Sequence, residues 1–216
     1  METPQIHLRF YLDDIMESTF NGKGKWSNVY MYKVLMSMIR KRPRDLVKLC
    51  SLAAQQAQLT NSSIIKTSHF QAIFEEYSQG RIQDTINEYK SELPSIEKLL
   101  FGMRPSKKEK NSQNGYSYTT VELMSKLNKL LQSENFVFKN GKHANARDLA
   151  QFLYKINFLT ARKVLETGEI QRKYFEENRY LSSSFVDFGY EWEIHPAFRW
   201  ALQPENIDDI FNKLEL

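Results

Sequence analysis

A single cysteine stands in this chain of 216 residues, beside four histidines, eight glycines and six prolines. One cysteine excludes an internal disulfide and a cysteine-rich zinc cluster, and it makes an intracellular setting the default expectation. His7, His69, His143 and His195 are too scattered to suggest a shared metal site. No nucleophile or orienting carboxylate stands at helpful spacing from His195, which reads as a packing residue beside Pro196. Apolar runs of membrane-spanning length are missing, and the polar N-terminus, acidic by Asp13 and Asp14, does not read as a signal peptide. The expectation is a cytoplasmic protein with no membrane partner. Glycine is also missing where nucleotide chemistry would need it. A loop of the G-x-x-x-x-G-K-[ST] type cradles phosphate with backbone N–H groups, a lysine and a hydroxyl. The nearest stretch, Asn21 to Ser27, has its glycines two residues apart and Trp26 where the hydroxyl belongs. With no catalytic constellation, no enzymatic activity, cofactor or metal is expected of this chain by itself.

What is present is ordinary for a globular protein. Hydrophobic residues make up 41% and charged residues 26%, enough to fill one domain or two small ones. The formal net charge of +4 permits a nucleic-acid partner without requiring one.

The most informative stretch is Arg40 to Ala57. Pro43 suits the first helical position, and Asp45 then sits in the first turn, where the helix dipole favours a carboxylate. Leu46, Leu49, Cys50, Ala53 and Ala57 follow at spacings of three and four. That narrow stripe of small residues lets a neighbouring helix approach closely. It also marks Cys50 as an inert buried thiol. Arg42 and Arg44 stand at the helix start, where a guanidinium fork meets either a phosphate or a carboxylate on a neighbouring acidic helix. Both alternatives stay open.

Periodicity predicts further helices around it. One runs over about 28–39 with Asn28 as its cap, and another opens at a Ser68–Gln71 capping box and continues to Tyr77. Gly80 then breaks or bends the chain before a helix striped by Ile82, Ile86, Tyr89 and Leu93, and Pro94 starts a short helix ending near Gly102. Residues 103–118 are polar and lack periodicity, and their cluster of Arg104, Lys107, Lys108 and Lys110 against Glu109 reads as a basic linker.

Beyond the linker, Thr119–Glu122 and Asn145–Asp148 are capping boxes for two more helices, with a short strand at Phe136–Phe138 closed by an Asn140–Gly141 turn. Asn157 suits a left-handed stop for the second helix. The period then becomes two. Ile170, Arg172, Tyr174 and Glu176 alternate with Gln171, Lys173 and Phe175, and Phe188, Tyr190, Trp192 and Ile194 alternate with Gly189, Glu191 and Glu193. Helices followed by a two-stranded hairpin predict a winged helix-turn-helix. Its groove-entering helix, 145–156, offers Asn145, Arg147, Gln151 and Lys155, and the hairpin offers Arg172 and Lys173 to phosphates. Between Lys139 and Lys173 eight basic residues stand against three acidic ones, so charge gathers where DNA contact needs it. Winged helices also serve as protein-docking or oligomerisation modules, and the residues leave that alternative open.

The run RPRDLVKLCSLAAQQA, with Ile65, Ala72 and EEYSQGRIQDTINEYKSELP, resembles the helical lid of a family of bacterial P-loop ATPases related to the AAA+ and STAND ATPases. EWEIHPAFRWAL resembles the end of those proteins, so the likeness spans roughly Trp26 to the C-terminus. The resemblance implies that Arg44, with Arg42 as second choice, contacts the phosphates of ATP held by a separate P-loop core. That core, self-association and DNA are the partners it suggests. The expected fold is mainly α: an N-terminal extension over 1–25, a helical lid-like bundle over 26–102 and a linker over 103–116. A winged helix with a small antiparallel hairpin follows over 117–203, then an acidic helix over 204–216. The expected function is regulatory and DNA-binding.

Overall fold

The computed structural model describes residues 10–40, 42–106, 115–166, 170–181, 189–203 and 210. Two short strands, β1 (Thr19–Phe20) and β2 (Val29–Tyr30), pair antiparallel and lead into helix α1 (Met31–Met38). Helices α2 (Pro43–Leu59) and α3 (Thr67–Tyr89) pack along each other, and α4 (Ile96–Gly102) follows. Then come β3 (Ser117–Tyr118), α5 (Thr120–Ser133), α6 (Ala146–Lys155), β4 (Leu159–Val164), β5 (Ile170–Lys173), β6 (Glu191–Ile194) and one last helical turn, α7 (Arg199–Leu202). The architecture is mainly helical with two small antiparallel sheets, the larger in the order β3-β6-β4-β5.

Local chemistry accounts for most of these elements. Pro43 opens α2 and Asp45 lies in its first turn, as expected. The stripe that α2 buries is Leu49, Leu52, Ala53 and Ala57, with Leu46 and Cys50 at its half-exposed border. Burial pushes the Cys50 thiol up to about 11, which keeps it protonated and unreactive. Both capping boxes beyond the linker form: Thr119 accepts from the Glu122 N–H, and Asn145 accepts from the Asp148 N–H. Asn157, at φ 56°, ends α6 in the left-handed conformation.

Several expectations need correction. Asn28 does not cap α1; at φ 62° it turns the chain between β1 and β2, and Tyr30 stands at the cap. Helix α3 starts at Thr67, not Ser68, with the Lys66 N–H bound to His69 Nδ1 at 2.9 Å. It then runs unbroken through Gly80. A mid-helix glycine costs about 1 kcal/mol, too little to interrupt a helix whose Tyr77, Ser78, Arg81 and Ile82 are all packed inside. The expected strand at Phe136–Phe138 shrinks to an isolated Val137–His143 bridge around Gly141, whose φ is +80°.

The largest correction concerns the hairpin. The segments over 170–176 and 188–194 do not pair with each other, because β4 lies between them and bonds to both β5 and β6. Leu159 through Arg162 are all buried, so β4 is covered on both faces and carries no alternation to read. The expected helix over 204–216 and the basic residues 107–110 lie outside the described residues, apart from Ile210.

The hydrophobic core is continuous from Met16 to Ile210. After β6 the chain turns back onto α3. Trp200 lies 4.7 Å from Phe74 and 6.2 Å from Trp26, centroid to centroid, and Ser78 Oγ accepts from the Ala201 N–H at 3.0 Å. This return also sets Phe198 beneath the Arg40 guanidinium, just ahead of α2. No described helix is long and apolar enough to cross a membrane.

Candidate functional site

The three arginines at the start of α2 have two destinations, Asp45 for Arg40 and Glu88 for Arg42 and Arg44. Arg40 is buried, with Nε donating to Asp45 Oδ2 at 2.9 Å and Nη1 to the Thr85 hydroxyl at 2.9 Å. Arg81 reaches the same carboxylate from α3, Nη1 to Oδ1 at 2.6 Å, and binds Asp84 through Nη2. Burial works to raise the Asp45 carboxyl, but the Arg40 hydrogen bond and the two guanidinium charges more than offset it and hold Asp45 below its ordinary value. Arg42 bonds Glu88 at 2.8 Å and the Tyr89 hydroxyl at 3.3 Å. Arg44 shares Glu88 at 3.2 Å but keeps a side chain 62% exposed. It borders a groove of about 290 Å3 lined by Lys48, Arg81, Asp84, Asn87 and Glu88. Both Arg42 and Arg44 thus meet the acidic neighbour on α3, Glu88.

The residues assigned to the winged helix separate by face. Arg147 and Lys155 are exposed on α6, and Asn145, also exposed, uses its carbonyl oxygen in the cap. Gln151 and Lys155 border a groove of about 320 Å3 with Phe138, Phe152 and Phe175, and Lys155 Nζ bonds Glu92 at 2.7 Å. Arg172 and Lys173 are neighbours in β5, so their side chains leave opposite faces of the sheet. Arg172 points inward, Nε to Glu193 Oε2 at 2.8 Å. Lys173 points outward, and its carbonyl accepts from the Tyr154 hydroxyl of α6 at 3.3 Å.

The inward face is a second buried ion cluster. Arg172 forks onto both Glu193 oxygens, Nε to Oε2 and Nη2 to Oε1, and Arg199 shares Oε1, while Arg162 binds Glu191 at the rim. Burial favours the protonated acid, yet Arg172 and Arg199 pull the Glu193 carboxyl down to about 2. His195 feels both clusters: its Nδ1 accepts from the Ala197 N–H, and the Arg40 and Glu193 charges act on its ring in opposite senses. Burial, then the Arg40 charge, depresses it to about 3, so the imidazole is neutral. The Arg40 guanidinium completes the junction 5.5 Å over the Phe198 ring. Among the described residues no group of three His, Cys, Asp or Glu side chains gathers as a metal site.

Sequence reasoning had not joined Arg40, Arg81, Arg162, Arg199 and Glu193 to these clusters, nor named Lys163, Tyr180 and Tyr190 as surface features. A signal existed for part of this. The period-two alternation already set Arg172 apart from Lys173 and put Glu191 and Glu193 on one face, the pattern of a charged face that must find counter-ions inside.

Residues 11–86 match the family model described as a FunZ-associated C-terminal helical domain. The match takes in β1, β2, α1, α2 and most of α3, including the Arg40–Asp45–Arg81 cluster, and ends before the larger sheet. Its description agrees with the expectation of a helical, C-terminal type of region for this part of the chain. No curated protein and no solved structure matches the chain.

Proposed function

We propose that this chain is a non-catalytic, regulatory C-terminal region of a P-loop ATPase-like protein, whose sheet-bearing half is a winged helix that contacts DNA. The order α5, α6, β4, β5, β6 supports that reading, with β4 and β5 as the wing and α6 packed beneath it through Tyr154. One observation carries the DNA contact. The arginines of the sheet turn to Glu191 and Glu193, while Arg147 on α6 and Lys163 and Lys173 on the wing bring positive charge to the solvent side. Phosphate contacts of this kind respond steeply to salt. Fluorescence anisotropy with mixed-sequence duplex DNA should show binding that falls sharply between about 50 and 200 mM salt. Arg147→Glu should weaken it and flatten its salt dependence by roughly one unit of slope or more. Salt-independent binding, or an Arg147→Glu variant that binds as the wild type does, overturns the assignment.

In the same proposal Arg44 is the guanidinium available to a nucleotide, because Arg42 is held by both Glu88 and Tyr89 while Arg44 is mostly exposed. ATP would be held by a separate P-loop core; the residues 21–27 do not supply one, since Trp26 is fully buried in the aromatic core. Arg44→Ala should lower ATP hydrolysis measured with that core present, and unchanged hydrolysis removes the role.

A second reading, a docking or oligomerisation module, has its own support in α5. Val121 is 79% exposed there and borders an open groove with Met124, Asn128 and Lys129. It predicts a discrete oligomer in light scattering and indifference to DNA at low salt.

A further inference from the structure

Past the buried Ala161 and Trp192, where its α6-covered face opens to solvent, the larger sheet carries an arrangement that phosphate binding alone does not require. Lys163 of β4, Gln171 and Lys173 of β5 and Tyr190 just before β6 share that face. Lys173 Nζ lies 5.3 Å from the Tyr190 ring centroid and 5.7 Å from that of Tyr180, and it donates to the Tyr180 hydroxyl at 3.0 Å. Lys163 Nζ approaches the Tyr190 ring at 5.7 Å. The Tyr190 hydroxyl donates to Gln171 Oε1 at 2.9 Å, which fixes the plane of the ring. Tyr180 is 52% exposed. The contrast with the inward face is chemical: there Arg162, Arg172 and Arg199 all meet carboxylates, whereas neither Lys163 nor Lys173 forms an ion pair with a described residue. Two ammonium groups are thus held in place by aromatic rings and a phenol, and among the described residues no carboxylate pairs with them.

We infer that this Tyr180–Lys173–Tyr190–Lys163 face is a stacking platform for unpaired nucleotides of single-stranded DNA. A ligand that complements it needs negative charge within reach of Nζ and a flat π-face to lie on an exposed tyrosine ring. An unpaired nucleotide has both, and a duplex hides its base faces. The inference rests on the DNA-binding reading above and adds what the wing recognises.

The test is anisotropy of the full chain with three labelled probes: oligothymidylate of about twelve nucleotides, an abasic oligomer with the same number of phosphates, and a blunt duplex. The thymidylate should bind about tenfold tighter than the abasic strand, and Tyr180→Ala should erase that difference. Tyr180 is at the surface, so the variant should keep the wild-type circular dichroism. Lys173→Gln should leave the preference for bases and reduce the salt slope by roughly 0.7, the value for one single-strand phosphate. Equal binding of thymidylate and abasic strands, or an unaffected Tyr180→Ala variant, overturns the platform. If the duplex still binds in a salt-dependent way, the broader DNA-binding reading survives that result. If none of the three probes binds, both fall.

Discussion

Asp45, Glu193 and His195 are buried groups shifted in the same direction: arginines hold the two carboxyls down against their burial, while burial, then the Arg40 charge, holds the imidazole down. Their ordinary values are 3.8, 4.5 and 6.5; in the fold Asp45 lies below its own, Glu193 falls to about 2 and His195 to about 3. A depressed value means the unfolded chain binds the proton more readily, so each group adds stability above its unfolded value that is lost as pH falls toward its folded one. The windows separate. From about pH 6.5 to 5 only His195 among the three takes up protons on unfolding; the carboxylates join below that. The groups that face it come from every side: Arg40 from the lead into α2, Arg172 from β5, Glu193 from β6 and Arg199 from α7. Linkage with values of 6.5 and about 3 gives a loss of about 2 kcal/mol between pH 7 and pH 5. Urea titrations at pH 7 and pH 5 should show it, and a His195→Gln variant, less stable at both, should show a much smaller difference. A wild-type stability that is flat over this range would mean the imidazole is not buried as described.

At the scale of elements, Gly80 gives the simplest experiment. It lies inside α3 with no atom within 4 Å of where a Cβ would stand. Alanine there meets no clash and restricts the unfolded chain, so Gly80→Ala should stabilise by about 1 kcal/mol and raise Tm by roughly 2–4 °C. An unchanged or lowered Tm would point to a bend at that position. The expected break at Gly80 also illustrates what the sequence conceals. Local signals with their own chemistry were legible: Pro43 and Asp45 opening α2, the two capping boxes, and Asn157 ending α6. Features decided by distant packing were not. Gly80 is overridden by the buried residues on either side of it, and β4 is invisible because both of its faces are covered. The same limit applied to the candidate site. Arg44 and Lys173 were readable as cations offered to a partner, but Thr85, which accepts from Arg40, and Glu193, which accepts from Arg172, lie 45 and 21 residues along the chain. Only the tertiary fold brings those together.

At the scale of the whole molecule, the two halves share a core, and Trp200 is the side chain that joins them. It follows the last strand of the larger sheet yet packs in the aromatic cluster of the first half, against Phe74 and Trp26. The same return places Phe198 under Arg40 and Ala201 against Ser78, so the two ion clusters and the aromatic cluster are anchored by one short segment. A chain built this way should unfold as one cooperative unit. Far-UV circular dichroism, which follows the helices of both halves, and tryptophan fluorescence, which follows Trp26, Trp192 and Trp200, should give coincident thermal transitions. Trp200→Ala leaves a large cavity beside Phe74 and should cost about 3–5 kcal/mol. The informative feature is the shape of the change. If the core is shared, the variant's single transition moves to lower temperature with both probes together, because the helices of α2 and α3 lose the surface that covers them. If instead the α1–α3 helices melt near the wild-type temperature while the sheet unfolds early, the halves are independent domains that only touch, and the continuity of the core carries no energetic coupling.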